Sequence, residues 1–205
     1  MKKEYSFIAK IYDPLLYFFI HPLRIAVMDI LLEYKKKNIL DLCCGTGDQL
    51  KLLSKNGFKN LYGLDMSLDM LKVAQKGNDK IKFYEEDATK TSFPNNFFDF
   101  IIISFAIHEK NRPDQENIIK EAHRILKQSG IMLILDYDFN KKTGPLVKIT
   151  INIIERIAGR EHFYNFKNYL RNNALLNLID SQKFKNLENK KRSFKGVSIS
   201  LYQKK

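Results

Sequence analysis

The chain has 205 residues, 44 % hydrophobic and 28 % charged, which is the balance of a folded globular protein and excludes a disordered one. Its net charge of +12 is uneven: residues 141–205 carry 15 Lys/Arg against 4 Asp/Glu, while the first 140 hold 20 against 19. The two cysteines, Cys43 and Cys44, are adjacent, which excludes a disulfide framework and a thiolate zinc cluster and fits a reducing, cytoplasmic setting.

The N-terminal stretch from Ile11 to Ile20 is apolar but interrupted by Asp13 and Pro14, and it is shorter than the roughly 20 residues a spanning helix needs. It reads as an amphipathic or buried helix. The middle of the chain then alternates strand and helix. "NILDLCC" is a short apolar strand, and "TGDQLKLLSKNG" is a helix with Leu50 and Leu53 on one face and a stop at Gly57. "NLYGLD" is a second strand. Ser67 caps "LDMLKVAQKG", whose apolar side is predicted to comprise Leu68, Leu71, Val73 and Ala74.

"IKFYEED" is a third strand and "FFDFIIIS" a fourth, the latter so continuously apolar that it should be covered on both faces. Pro113 opens a helix that repeats apolar residues from Ile118 to Leu126 and is expected to stop near Gly130. "IMLILDYD" is a fifth strand. Helices are then predicted over Leu146–Ala158 and Phe166–Ile179, and the tail reads as two strands with a Lys-rich connection. Such alternation predicts an α/β fold, a Rossmann-like doubly wound sheet that is mostly parallel and closes with an antiparallel strand pair.

"DLCCGTGDQL" places Gly45 and Gly47 just past the first strand, where ligands lie in open α/β sheets. A dinucleotide loop would carry a third glycine where this chain has Leu50, and no Gly-Lys-Ser/Thr follows, so the loop does not match a pyrophosphate cradle. Three strands end in acids instead. Asp41 would attract an ammonium group, Asp65 is spaced to accept from ribose hydroxyls, and Asp87 could accept from an adenine amino group. S-adenosylmethionine combines those features with a sulfonium.

"ILDLCCGTGDQL", "LYGLDMSLDML", "EEDATKTSFPNNFFDFIIISFAIHE" and "EAHRILKQSGIMLILDYD" resemble the successive motifs of class I methyltransferases. More narrowly, they resemble the demethylmenaquinone/ubiquinone-biosynthesis C-methyltransferase (methyltransferase type 11) group, from about Tyr12 to Asp136. The resemblance implies a single methyltransferase domain: a helical lid or extension over residues 1–37, a cofactor-binding core over 38–140, and substrate-side helices and terminal strands over 141–205. It implies that Cys43, Gly45, Thr46 and Gly47 hold the methionine part of S-adenosylmethionine and that Asp65 holds the ribose. Asp87, Ala88 and Met66 would hold the adenine, and Ser104 would line the methyl-donor pocket.

His108 and Glu109 follow the fourth strand, where the acceptor should sit, and His108 is a candidate base for a phenol or enol. His123 reads as structural or exposed, and His21 has no assignable role. His162 and Tyr164, in "REHFYNF", could wall an apolar acceptor, and Tyr12 and Tyr17 sit on the candidate lid. The function expected is methyl transfer to a small apolar or aromatic acceptor of quinol or phenol type. The basic final third could touch a membrane surface. A nucleic-acid methyltransferase is disfavoured, because "SFAI" stands where base N-methylation typically uses an Asn/Asp-Pro-Pro-aromatic segment. A non-catalytic module binding the same cofactor is the remaining alternative, and oligomeric state is open.

Overall fold

The computed structural model describes residues 18–140, 143–187 and 192–205. The expected lid residues Tyr12 and Tyr17 lie outside them. The chain divides into two compact units, with the boundary between Glu85 and Glu86. Among the described residues no helix is long and apolar enough to cross a membrane.

The N-terminal unit opens with a helix over residues 18–31 (α1) and a short 3-10 turn at Leu32–Tyr34. Then come β1 (Asn38–Leu42), α2 (Asp48–Lys55), β2 (Asn60–Asp65), α3 (Leu68–Gln75) and β3 (Ile81–Glu85). The strands are parallel in the order β3-β2-β1, with Asn38 opposite Asn60 and Leu61 opposite Ile81. Parallel neighbours need a crossover, and α2 and α3 supply it. Ile39, Leu40, Leu42, Leu50, Leu53 and Leu64 are fully buried, so both helices lay an apolar face on the sheet.

Two details correct the sequence reading. The cysteines are not in the strand: β1 ends at Leu42, and Cys43 turns to φ +69°. On α3 only Leu71 and Ala74 are buried, while Leu68 and Val73 are exposed. The missing third loop glycine also finds its explanation. A Cβ on Gly63 of β2 would lie 2.8 Å from the Leu50 side chain and 2.6 Å from Phe83. The close helix–strand approach is therefore provided from the strand side, and Leu50 fills the room that Gly63 leaves.

The C-terminal unit holds β4 (Phe98–Ser104), α4 (Arg112–Ile125), β5 (Leu126–Tyr137), α5 (Pro145–Ile157), α6 (Arg160–Arg171) and a 3-10 turn at Ala174–Asn177. The chain closes with β6 (Phe184–Asn186), β7 (Arg192–Phe194) and β8 (Val197–Lys204). Strand β4 runs parallel to β5; β8 runs antiparallel to β5 and carries both β6 and β7, also antiparallel. Ile101, Ile102 and Ile103 are fully buried, as a strand covered on both faces requires.

Helix α4 begins as predicted: Asn111 caps it by accepting from the Asp114 N–H at 3.0 Å, and Pro113 sits in the first turn. Its end differs. Leu126 is already extended, and Gly130 lies inside β5 at an irregularity, where a Cβ would come 2.8 Å from the Lys127 carbonyl. The helix is closed from a distance instead. The Lys204 ammonium donates to the carbonyls of His123 and Leu126, both at 2.8 Å, supplying the cation that a helix C-terminus favours. His123 itself packs edge-on against Phe184.

Helix α6 starts six residues earlier than predicted, after Gly159, whose φ of +130° suits glycine. It stops at Arg171 because Asn173 and Ala174 both adopt positive φ. The tail holds three strands rather than two.

Candidate functional site

The loop after β1 is held in shape by its own backbone. Cys43, Gly45 and Gly47 all have positive φ, at +69°, +53° and +71°. The Cys44 N–H donates to the Leu64 carbonyl and the Gly47 N–H to the Cys44 carbonyl, both at 2.9 Å. The two glycines differ. A Cβ on Gly47 would meet Ala74 at 3.0 Å and Phe83 at 3.2 Å, whereas one on Gly45 would meet nothing within 4 Å. Gly47 is thus needed for packing, and Gly45 opens on free space.

Asp65, at the end of β2, ties this loop to the next turn. Its carboxylate accepts from the Gly45 N–H at 2.8 Å and from the Ser67 N–H at 2.9 Å. Ser67 in turn caps α3, accepting from the Met70 N–H. The spacing of 20 residues that pointed to a ribose contact also serves this brace.

Asp41 is 2 % exposed, and its Oδ1 has no hydrogen-bond partner among the described residues. Burial raises its pKa to about 7; Arg24 pulls it down, and the nearby Asp65 charge pushes it further up. The Cys44 thiol is held well above its ordinary range by burial and by the carboxylates of Asp41 and Asp65, so it stays a thiol. Thr46 is half-buried and Met66 is 66 % exposed. Asp41, Cys43, Gly45, Gly47 and Asp65 are therefore brought together around one loop.

In the C-terminal unit Asp87 is exposed and accepts from the Thr89 N–H at 2.8 Å, while the adjoining Ala88 is buried. Ser104 ends β4 with a buried hydroxyl that has no partner among the described residues. Phe105 follows with φ +52°, a strained value for an aromatic residue, pinned by its N–H on the Leu135 carbonyl at 2.8 Å.

His108 is not on a rim. It is 2 % exposed, with Nδ1 2.6 Å from Asp136 Oδ1 and Nε2 3.3 Å from Glu155 Oε2. Burial opposes its charge, but the charge and hydrogen bond of Asp136, with Glu155 behind them, outweigh that and raise its pKa to about 10. With its ring nitrogens turned to Asp136 and Glu155, the expected place of His108 on an open acceptor rim is corrected. Glu109 is half-buried and pairs with Lys110 at 2.7 Å.

His162 joins the same cluster through Nε2, 2.5 Å from Glu155 Oε2, rather than walling an apolar chamber. Tyr164 is 65 % exposed and lines a groove of about 260 Å³ with Lys110, Gln115, Asn165 and Tyr169. The residues that sequence reasoning missed are Asp136, Tyr137 and Glu155. Two of them left a signal: Asp136 interrupts the apolar run of "IMLILDYD", and Glu155 is the only acid on α5.

Residues 39–130 match the family described as a methyltransferase domain. The chain is 37 % identical over 109 residues to the demethylmenaquinone methyltransferase of Geobacillus stearothermophilus, covering 50 % of this chain and 46 % of that protein. It is 33 % identical over 114 residues to the protein of the same name from Thermotoga maritima, covering 55 % and 49 %. The chain thus spans about half the length of these curated relatives.

The likeness in fold to solved structures reaches beyond that segment. A putative S-adenosylmethionine-dependent methyltransferase from Methanococcus maripaludis matches with TM-score 0.66 at 18 % identity, covering 97 % of this chain and 93 % of its own. A Pyrococcus horikoshii protein matches with TM-score 0.64 at 21 % identity, covering 95 % and 91 %. The expected α/β class, Rossmann-like with antiparallel closing strands, is borne out.

Proposed function

We propose that this chain transfers a methyl group from S-adenosylmethionine to a small acceptor of phenol or quinol type. The observation that carries the reading is Asp41, a buried carboxylate with one oxygen lacking a partner, beside a glycine loop that opens at Gly45. A buried carboxylate is tolerated when a cation completes it. The methionine ammonium suits that need, and a pyrophosphate would be repelled.

In this reading Asp41 takes the ammonium, directly or through water, and Gly45, Thr46 and Gly47 pass their backbone along the methionine part. Asp65, held at the end of β2 against the Gly45 and Ser67 N–H groups, is assigned to the ribose hydroxyls. Asp87, Ala88 and Met66 are assigned to the adenine and Ser104 to the methyl-donor side. When bound, the cofactor supplies a methyl group already activated on sulfonium. The protein's share is then mainly to hold donor and acceptor in line and to exclude water. The quinol-type acceptor rests on the names of the partly covered relatives.

The test is a binding comparison of S-adenosylhomocysteine with NAD, followed by labelled-methyl transfer to quinols, phenols, small amines and RNA. Binding of S-adenosylhomocysteine together with label on a phenol or quinol is expected. Label on RNA alone, or tight NAD binding without S-adenosylhomocysteine binding, would overturn the reading.

A further inference from the structure

We propose that His108, Glu155 and His162 form a binding site for a divalent transition-metal ion of the zinc class. Each side chain offers one ligand atom, and these atoms lie within 4.8 Å of one another. Two imidazoles, each releasing any proton on its ligating nitrogen as the ion binds, and one carboxylate are the protein donors of one class of zinc site. With metal–ligand bonds near 2.1 Å, a tetrahedral site needs neighbouring donors about 3.3 Å apart. His108 Nε2 and Glu155 Oε2 stand 3.3 Å apart already. His162 Nε2 lies closer, 2.5 Å from Glu155 Oε2, where the two share a hydrogen bond. It would have to withdraw by roughly 0.8 Å to admit the ion. His162 sits on the first turn of α6, just past Gly159, and is the most accessible of the three.

What distinguishes this cluster from a chance polar contact is its supporting groups. Metal-binding histidines usually give their other nitrogen to a carboxylate, which fixes the ring. His108 Nδ1 does so with Asp136 at 2.6 Å. Asp136 is itself fixed, accepting from the N–H groups of Ile107 and His108 at 3.2 Å and of Tyr137 at 2.8 Å. The Tyr137 hydroxyl donates to Glu155 Oε1 at 2.6 Å, so Oε2 is the oxygen turned to the histidines. His162 Nδ1 is buried without a hydrogen bond, with Glu109 Oε2 3.5 Å away. A small turn of the ring would complete a second carboxylate–histidine pair.

The experiment uses the untagged full chain, stripped with a chelator and titrated with Zn²⁺ against a chromophoric competitor, then with Co²⁺ for its visible spectrum. One ion per chain is expected, with micromolar or tighter affinity and intense tetrahedral Co²⁺ bands. His162→Ala should weaken Zn²⁺ by more than about 100-fold, and Asp136→Asn by about 10–100-fold through loss of ring orientation. Thermal melts and S-adenosylhomocysteine binding serve as checks that the variants are folded, and they keep this result separate from the cofactor assignment. Failure of the wild type to bind, or unchanged affinity in a folded His162→Ala protein, would overturn the proposal and leave a hydrogen-bonded cluster.

A separate observation carries a second proposal. We infer that the outer face of α5 docks on an anionic lipid surface. Leu146, Ile149, Ile153 and Ile157 are 77, 56, 54 and 62 % exposed and recur at steps of three, four and four, which puts them on one stripe. The opposite face carries the buried Ile151 and Glu155. Exposed Lys148, Arg156 and Arg160 flank the stripe, with Glu161 the acid near it. Apolar residues bordered by cations on a surface helix suit the interface of an acidic bilayer. The chain should sediment with vesicles containing phosphatidylglycerol and not with pure phosphatidylcholine. Replacing Ile149 and Ile153 together by serine should cut vesicle binding by about tenfold or more while leaving S-adenosylhomocysteine binding unchanged. No sedimentation, undiminished sedimentation of the variant, or a dimer that the same substitutions dissolve would overturn it.

Discussion

Asp41→Asn separates stability from cofactor binding at one atom. The Asp41 carboxyl titrates near pH 7 in the fold against an ordinary value of 3.8, chiefly because it is buried. Between those two values the folded chain holds a proton that the unfolded chain has released. Stability therefore falls as pH rises through this window, the opposite of the usual carboxylate case. Raising pH from 5 to 8 should remove about 2–3 kcal/mol from the wild type through this residue. The asparagine variant has no such loss. Its unpaired amide costs about 1–3 kcal/mol, and that cost is the same at every pH.

The measured quantity is thus the wild-type-minus-variant difference in unfolding free energy, followed by denaturant titration or thermal melts from pH 5 to 8. The difference should move by about 2–3 kcal/mol in the variant's favour, or roughly 5–10 °C in Tm for a chain of this size. Cofactor binding should respond in the opposite sense. An ammonium beside Asp41 favours its ionised form, so wild-type affinity for S-adenosylhomocysteine should rise with pH up to about 7 and then level off. The variant should bind weakly at every pH. A pH-independent stability difference, or wild-type affinity in the variant, would refute the reasoning.

The loop glycines should separate in the same way. Gly45→Ala should fold with a stability loss of about 1 kcal/mol, since its Cβ meets open space, but should lose most affinity for S-adenosylhomocysteine. Gly47→Ala combines positive φ with contacts at 3.0–3.2 Å and should destabilise the fold by more, about 2–3 kcal/mol by denaturant titration. Glu121 accepts from the Thr91 N–H and hydroxyl and pairs with Arg124, and those contacts hold its pKa down against the effect of burial. Glu121→Gln should cost about 2–4 kcal/mol at pH 7. That contribution is fully present above the ordinary glutamate pKa and is lost as pH falls through the lowered one. The variant should therefore converge on the wild type in acid.

Much of the fold was legible in the sequence because strand and helix periodicity is local. β2 and β3, the Ser67 cap and the helix opened at Pro113 follow from residues close in the chain. The errors share one cause: a contact from far along the chain decided the local outcome. Gly130 looked like a helix stop, yet α4 ends at Ile125, where the Lys204 ammonium, from the last strand, reaches its carbonyls. Leu50 looked like a missing glycine until Gly63 on the neighbouring strand supplied the space.

The site divides along the same line. The sequence by itself determined the glycine loop, the strand-end acids Asp41 and Asp65, and the methyltransferase pattern, because these stand at fixed short offsets from strand ends. Only the tertiary structure decided which acid braces the loop and which is left with an unpaired oxygen, since that depends on where β2 lies beside β1. It also decided that His108, read as a surface base, is buried between Asp136 and Glu155. Those carboxylates lie 28 and 47 residues away in sequence, and burial and charge act through space rather than along the chain.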